Sequence, residues 1–266
     1  MIRVACKGDL PLPLIRPAEK RRVQMLDDLR GACILLMIVQ HTLYLMQQFH
    51  FFQDNAFAEF CAYFLQTPLY QALWLMVVSV FFLIAGIVSH YSHSNLKRCI
   101  PVLVVAAGVT AVTYLMLPEE FIKFGVLHCM GACMLLYGLA ERFCRALLRV
   151  PFWAWLVLFV LYLTATHMFS TYPQTNNMVF RALLVLVGFP PAGFLSADYF
   201  PLFPWVFLFF AGAGLGRFVK AGKFPGWFYT AKCPPLAFVG RHPLVIYAAH
   251  QPVVYLLLSV LSRVFA

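Results

Sequence analysis

Seven long stretches of this chain are almost free of charge, and that pattern restricts its fold more than any other feature. They run Leu29 to Gln48, Pro68 to Ser89, Ile100 to Leu117, Phe124 to Ala140, Pro151 to His167, Leu202 to Gly216 and Pro243 to Leu261. A transmembrane α-helix needs roughly 20 apolar residues to cross a hydrocarbon core about 30 Å thick. A helix also satisfies its own backbone where no water is available. A membrane barrel would instead show short strands alternating apolar and polar residues, and these runs are continuous. With 62% hydrophobic residues, 11% charged residues and a mean hydropathy of +0.81, the chain is no ordinary soluble domain. The sequence therefore predicts an all-α, polytopic membrane helical bundle of about seven transmembrane helices.

The basic residues orient that bundle, because short cytoplasmic loops carry an excess of Lys and Arg. With the N-terminus cytoplasmic, every Lys and Arg except Lys123, Arg181 and Arg263 falls on the cytoplasmic side. The apolar piece Met178 to Val187 reads as re-entrant or interfacial, since a full crossing there would export the basic group Arg217 to Arg241. Phe51 to Gln66 reads as a surface helix, and an eighth span arises only if one of these two pieces crosses. Residues 1–24 read as a basic cytoplasmic segment and 25–266 as one membrane-embedded domain, with no internal repeat. The first 22 residues lack the apolar core of a removable signal. Lipid headgroups account for the net charge of +10 without nucleic acid. The eight cysteines form no C-x-x-C pair and read as small buried thiols; no metal site is predicted.

Ionisable groups inside a bilayer are costly and point to function. Arg30 and His41 stand eleven positions apart, almost three helical turns, so they share one face of the first helix about 16 Å apart along its axis. Asp27, Tyr44 and Gln48 fall on the same face. His128, in F-G-V-L-H-C-M-G, lies at a depth similar to that of His41, and His250, in Y-A-A-H-Q-P, lies about 10 Å into the last span. Three imidazoles can meet in one middle layer, or each can be a packed hydrogen-bonding residue. Neutral imidazole suits acyl transfer, because near pH 7 it deprotonates a hydroxyl or amine, or takes the acyl group itself. Arg30 at the cytoplasmic mouth can hold phosphate in a bidentate fork with Asp27 orienting it, or the two form a snorkelling helix-end pair. Arg241 enters the membrane beside Pro243, whose ring suits a first helical turn with open N–H groups that favour phosphate. On the exterior, Asp198 reads as an acceptor-binding acid or a solvated loop acid, and Tyr199 and Trp205 as interfacial anchors.

These segments resemble the catalytic domain of the heparan-α-glucosaminide N-acetyltransferase family, especially its short bacterial members. The resemblance rests on L-D-D-L-R-G followed by I-L-L-M-I, then F-F-L-I-A-G-I, F-G-V-L-H-C-M-G, D-Y-F-P-L-F-P-W with G-L-G-R-F, and G-R-H-P-L-V-I-Y-A-A-H-Q-P. The Arg30-x10-His41 pattern is also similar to that of the wider membrane acyltransferases that decorate extracytoplasmic glycans. The resemblance implies a cytoplasmic acyl-coenzyme A donor, typically acetyl-CoA as co-substrate with no tightly bound cofactor, and an extracytoplasmic sugar or glycan acceptor. It implies a bacterial inner-membrane protein working among membrane lipids. The chain departs from the family pattern at His41-Thr42-Leu43-Tyr44, where eukaryotic members carry N-Y-G-G, and His50 is the nearest counterpart of their catalytic loop histidine.

The leading expectation is thus an integral-membrane acyltransferase with His41, His128 and His250 as catalytic candidates. Asp27, Arg30 and Arg241 are the donor-binding candidates; Asp198 and His50 are those on the acceptor side. A transporter or flippase using the same polar layer is the alternative, although no inverted repeat is evident. Paired histidines holding a haem are a third reading.

Overall fold

The computed structural model describes residues 23–49, 51, 56–168 and 175–265. Its helices are α1 (Gln24–Gln48), α2 (Ala56–Leu65), α3 (Pro68–Ser89), α4 (Asn95–Met116), α5 (Val126–Phe143), α6 (Phe152–Met168), α7 (Met178–Leu186), α8 (Leu202–Lys220), α9 (Gly226–Thr230), α10 (Pro234–Arg241) and α11 (Pro243–Phe265). The ends follow local chemistry. Thr67 accepts the Tyr70 N–H at 3.2 Å ahead of Pro68, which starts α3, and Ser94 accepts the Lys97 N–H at 3.3 Å to start α4.

Each of the seven expected spans is a helix, and the chain is a polytopic helical membrane bundle. Helices α1, α3, α4, α8 and α11 are long and apolar enough to cross a membrane. Helices α5 and α6, with 18 and 17 residues, sit at the short end of the spanning range of about 17–25. Helices α2 and α7 have 10 and 9 residues, about 15 and 13 Å of rise, so neither crosses as a helix. That agrees with reading these pieces as surface or re-entrant. Hydroxyls of Tyr162 and Tyr199 donate to the carbonyls of Val187 and Val185, tying the end of α7 to α6 and to the loop before α8.

Two expectations need correction. Helix α1 begins at Gln24 rather than Leu29, so Asp27 and Asp28 are helical and buried, because α10 covers them. The stretch from Arg217 to Arg241 holds the end of α8, then α9 and α10, and Phe228 of α9 packs in a cluster with Val23, Leu26 and Val219. Trp205 is no interfacial anchor. It is buried and stacks on Phe82 at 5.2 Å between ring centroids, since the turn before α8 folds it inward. Of the described cysteines, Cys144 and Cys233 are exposed and the other five buried.

Lipid tails are as apolar as leucine, so helices associate in a bilayer through close packing rather than through the hydrophobic effect. Two crossings show it. At α3/α8, a Cβ on Gly86 would strike the Phe209 carbonyl and one on Gly212 the Leu83 carbonyl. At α1/α10, a Cβ on Gly31 would strike the Leu236 carbonyl and one on Gly240 the Asp27 carbonyl. Around α3/α8 gathers the main core of Phe82, Trp205, Phe209 and Tyr137, with α5 and α6 packed against α8 and α4 against α5. Helix α11 lies on α1 and leaves Val245, Leu256, Val260 and Val264 exposed, as a lipid-facing helix does.

Candidate functional site

The first candidate region lies where α1 meets α10, at the end the charge bias assigns to the cytoplasm. Arg30 Nη1 lies 3.5 Å from Asp27 Oδ1 and donates to the Gly240 carbonyl at 3.2 Å. Arg241 Nε lies 3.7 Å from Asp27 Oδ2, with its side chain 45% exposed against 5% for Asp27. Beside them, Asp28 Oδ2 accepts the Cys233 N–H at 3.0 Å and so pins the start of α10. One buried carboxylate therefore bridges two guanidiniums, and the glycine crossing brings the Gly240 carbonyl to Arg30. Arg30 is held inside, at 9% exposure, while Arg241 faces out. The sequence spacing placed Asp27 with Arg30; the link to Arg241 comes from tertiary packing.

The second region is the histidine layer. The rings of His41 on α1 and His250 on α11 meet edge to face, with centroids 4.9 Å apart. His41 Nδ1 lies 2.9 Å from the Met37 carbonyl, and His250 Nδ1 lies 2.5 Å from the Tyr247 carbonyl. A carbonyl only accepts, so in each neutral ring Nδ1 carries the proton and Nε2 keeps the lone pair. His250 is 6% exposed, and its Nε2 has no hydrogen-bond partner among the described residues. Two imidazoles thus touch inside the bundle, and among the described residues neither basic nitrogen has a hydrogen-bond partner. Rings in direct edge contact leave no space for a macrocycle between them, which removes the haem reading for this pair.

His128 is built the other way. The Gly125 N–H donates to His128 Nδ1 at 3.2 Å, so the proton sits on Nε2, which lies 3.2 Å from Thr110 Oγ1. The Thr110 hydroxyl donates in turn to the Ile122 carbonyl at 2.8 Å. Both ring nitrogens are occupied in joining the first turn of α5 to α4.

Asp198 is not a solvated loop acid. Its Oδ2 accepts the Val126 N–H at 3.0 Å, at the start of α5, and the Tyr247 hydroxyl at 3.1 Å. A carboxylate there also meets the positive end of the α5 dipole. Burial pushes its pKa up from the usual carboxylate range, while these two hydrogen bonds and the nearby His128 and His250 act in the opposite direction. The loop around it is zipped to the one before α5 by the Phe200 N–H on the Phe124 carbonyl at 2.9 Å. Asp198, Tyr247 and His128 line one small cavity of about 10 Å³.

The structure therefore joins His41, His250, Tyr247 and Asp198 in a run of contacts, with His128 alongside and the Asp27 cluster separate. Sequence reasoning missed Tyr247 and Thr110. Tyr247 stands three positions before His250, one turn of the same helix, and that spacing was the available signal. His50 lies outside the described residues. Tyr44, on the face shared with His41, donates to Glu120 Oε2 at 3.4 Å.

A family model described as "Heparan-alpha-glucosaminide N-acetyltransferase, catalytic" matches residues 22–252. No curated protein and no solved structure matches the chain. The matched range takes in the charge cluster, all three histidines and Asp198.

Proposed function

This chain belongs to the heparan-α-glucosaminide N-acetyltransferase catalytic family, and we propose that it is a membrane acyltransferase that moves an acyl group, acetyl in the first instance, from cytoplasmic acyl-coenzyme A to a hydroxyl or amine of an extracytoplasmic glycan. The observation that carries the chemistry is the pair of touching histidines whose Nε2 atoms are free to take a proton. His41 is the base. Its Nε2 removes the proton as the acceptor oxygen or nitrogen attacks the thioester carbonyl; the carbon–sulfur bond breaks, and the imidazolium returns the proton to the departing thiolate. His250 lies against His41 and keeps that ring in place. Tyr247 and Asp198 position His250 in turn, and His128 fixes the start of α5 so that Asp198 meets Val126.

The donor enters at the α1/α10 end. Arg241 has the more accessible guanidinium for a phosphate, with Asp27 and Arg30 holding its base on α1. An extended pantetheine arm bridges the roughly 16 Å between the depths of Arg30 and His41. Asp198 and His50 mark the acceptor side. A bacterial inner membrane is the setting this reading requires.

The deciding experiment incubates the purified chain in lipid with radiolabelled acetyl-coenzyme A and a glycan extract, following label and free thiol. His41→Ala should insert and fold normally but release no thiol. Equal turnover in both proteins would remove His41 from the chemistry, and no turnover with any donor would point to transport.

A further inference from the structure

A cavity of about 310 Å³ lies between the ends of α3, α5 and α8 and the start of α6. It is separate from the Asp27 cluster, which lies between α1 and α10. The charge bias places it at the cytoplasmic membrane surface. Its lining includes Arg145, Arg149 and Arg217 together with the aromatic Tyr137 and Trp155. The lining holds one acid, Glu141, and that carboxylate already accepts Asn95 Nδ2–H at 3.0 Å. Arg145 Nε donates weakly to the Glu141 carbonyl at 3.4 Å. Among the described residues, the guanidiniums of Arg149 and Arg217 have neither an ion pair nor a hydrogen bond. His90, also on the lining, has its pKa lowered first by burial and further by the Arg217 and Lys220 charges, against a backbone hydrogen bond and Glu141, and an imidazole carries no negative charge in either form.

Three arginines line the cavity against one committed carboxylate. Guanidinium forks match phosphate oxygens in pairs, and the aromatic walls offer an apolar body to whatever the phosphate carries. The volume falls at the small end of ligand sites, about 300–1,000 Å³. We infer that this cavity binds a phosphate ester, with Arg149 and Arg217 on the phosphate and Tyr137 and Trp155 against its aromatic or aliphatic portion. Two sources supply that chemistry at this surface: a nucleotide phosphate, or the headgroup of an anionic phospholipid. The site stands apart from the acyl-transfer reading, because its lining includes none of the residues assigned to that chemistry or to its donor.

The test uses the full chain, purified in neutral detergent and stripped of lipid. One arm titrates guanosine 5′-monophosphate, a nucleotide phosphate that is no part of coenzyme A, by calorimetry. The other measures retention of phosphatidylglycerol against phosphatidylcholine by native mass spectrometry. Binding in at least one arm is expected, and the arm that binds identifies the source. The double variant Arg149→Gln with Arg217→Gln should weaken it about tenfold or more, each lost contact being a charge-assisted hydrogen bond. Arg142→Gln, whose guanidinium lies over the Phe143 ring 5.7 Å from its centroid and is not on the lining, should leave binding unchanged. Lysine at both positions should restore part of it. Should the glutamine pair fail to fold, the native titration and the lysine pair still decide. Absence of binding by the native chain in both arms, or equal binding by native and glutamine variants, overturns the site. Neither arm needs turnover, so a failure here leaves the acyltransferase reading intact, and the reverse also holds.

Discussion

At the α3/α8 and α1/α10 crossings, paired glycines let each helix rest on a backbone carbonyl of the other, yet the surroundings of the two contacts differ. Around α3/α8 lie Phe82, Trp205, Phe209 and Tyr137, a packed aromatic core. Around α1/α10 lie Asp27, Asp28, Arg30 and Arg241, with one backbone carbonyl enlisted as an acceptor. The first crossing holds the bundle together by close contact, which is what remains to drive helix association in lipid. The second gathers charge, and a buried ion pair contributes little net stability while costing heavily when broken. Architecture and chemistry thus use the same small residue at two different helix crossings.

That contrast can be broken directly. Gly212→Val should be the most damaging change, because the new side chain meets the Leu83 carbonyl and neither long helix can move aside. A cost of about 3 kcal/mol or more is expected, read as loss of monodisperse protein in detergent. Gly240→Val meets the Asp27 carbonyl, but α10 has only 8 residues and can lift away. The bundle should survive while acyl transfer falls sharply, so a folded yield as poor as that of Gly212→Val would show that the two crossings are equivalent.

Next in size is Arg30→Ala. It strips Asp27 of its helical partner in a buried site and should cost about 3 kcal/mol in thermal unfolding. Arg241→Gln, at a half-exposed position, should cost under about 1 kcal/mol yet raise the KM for the acyl donor. Equal destabilisation by the two would mean that α1 and α10 share the burden evenly. Within the histidine region, Tyr247→Phe removes the hydrogen bond to Asp198 and should cost about 1 kcal/mol while lowering kcat more than it changes KM.

The smallest effect concerns pH. Burial raises the Asp198 pKa in the folded chain, so the folded state holds that proton more tightly than the unfolded one. The associated stability is fully present below the ordinary carboxylate range, about pH 4, and is lost as pH climbs through the raised value. Asp198→Asn should flatten that part of the melting-temperature profile. An unchanged slope would place its origin elsewhere.

Much of the bundle was legible from length and hydropathy, because a helix is the structure that satisfies a long apolar run in lipid. Boundaries were less so. The start of α1 at Gln24 depends on α10 covering two aspartates, and nothing local in L-D-D-L-R-G announces a lid some 210 positions away. Trp205 looked interfacial because Tyr and Trp usually are, and only the packing of α3 on α8 turns it inward. Residue type and helical period singled out Arg30, Asp27 and the three histidines, but they could not say which histidines would touch. Tyr247 carried a weak signal at one turn from His250, and Thr110 carried none.

By itself, then, the sequence determined that this chain forms a helical membrane bundle with ionisable groups at specified depths along α1, α5 and α11, since depth follows from a constant rise per residue. The tertiary structure decided which groups meet across helices: His41 with His250, Asp198 with Val126 and Tyr247, Arg241 with Asp27. Rise along a helix is local and fixed by backbone geometry. Contact between helices depends on where glycines let two backbones close, and that is settled only when the whole bundle packs.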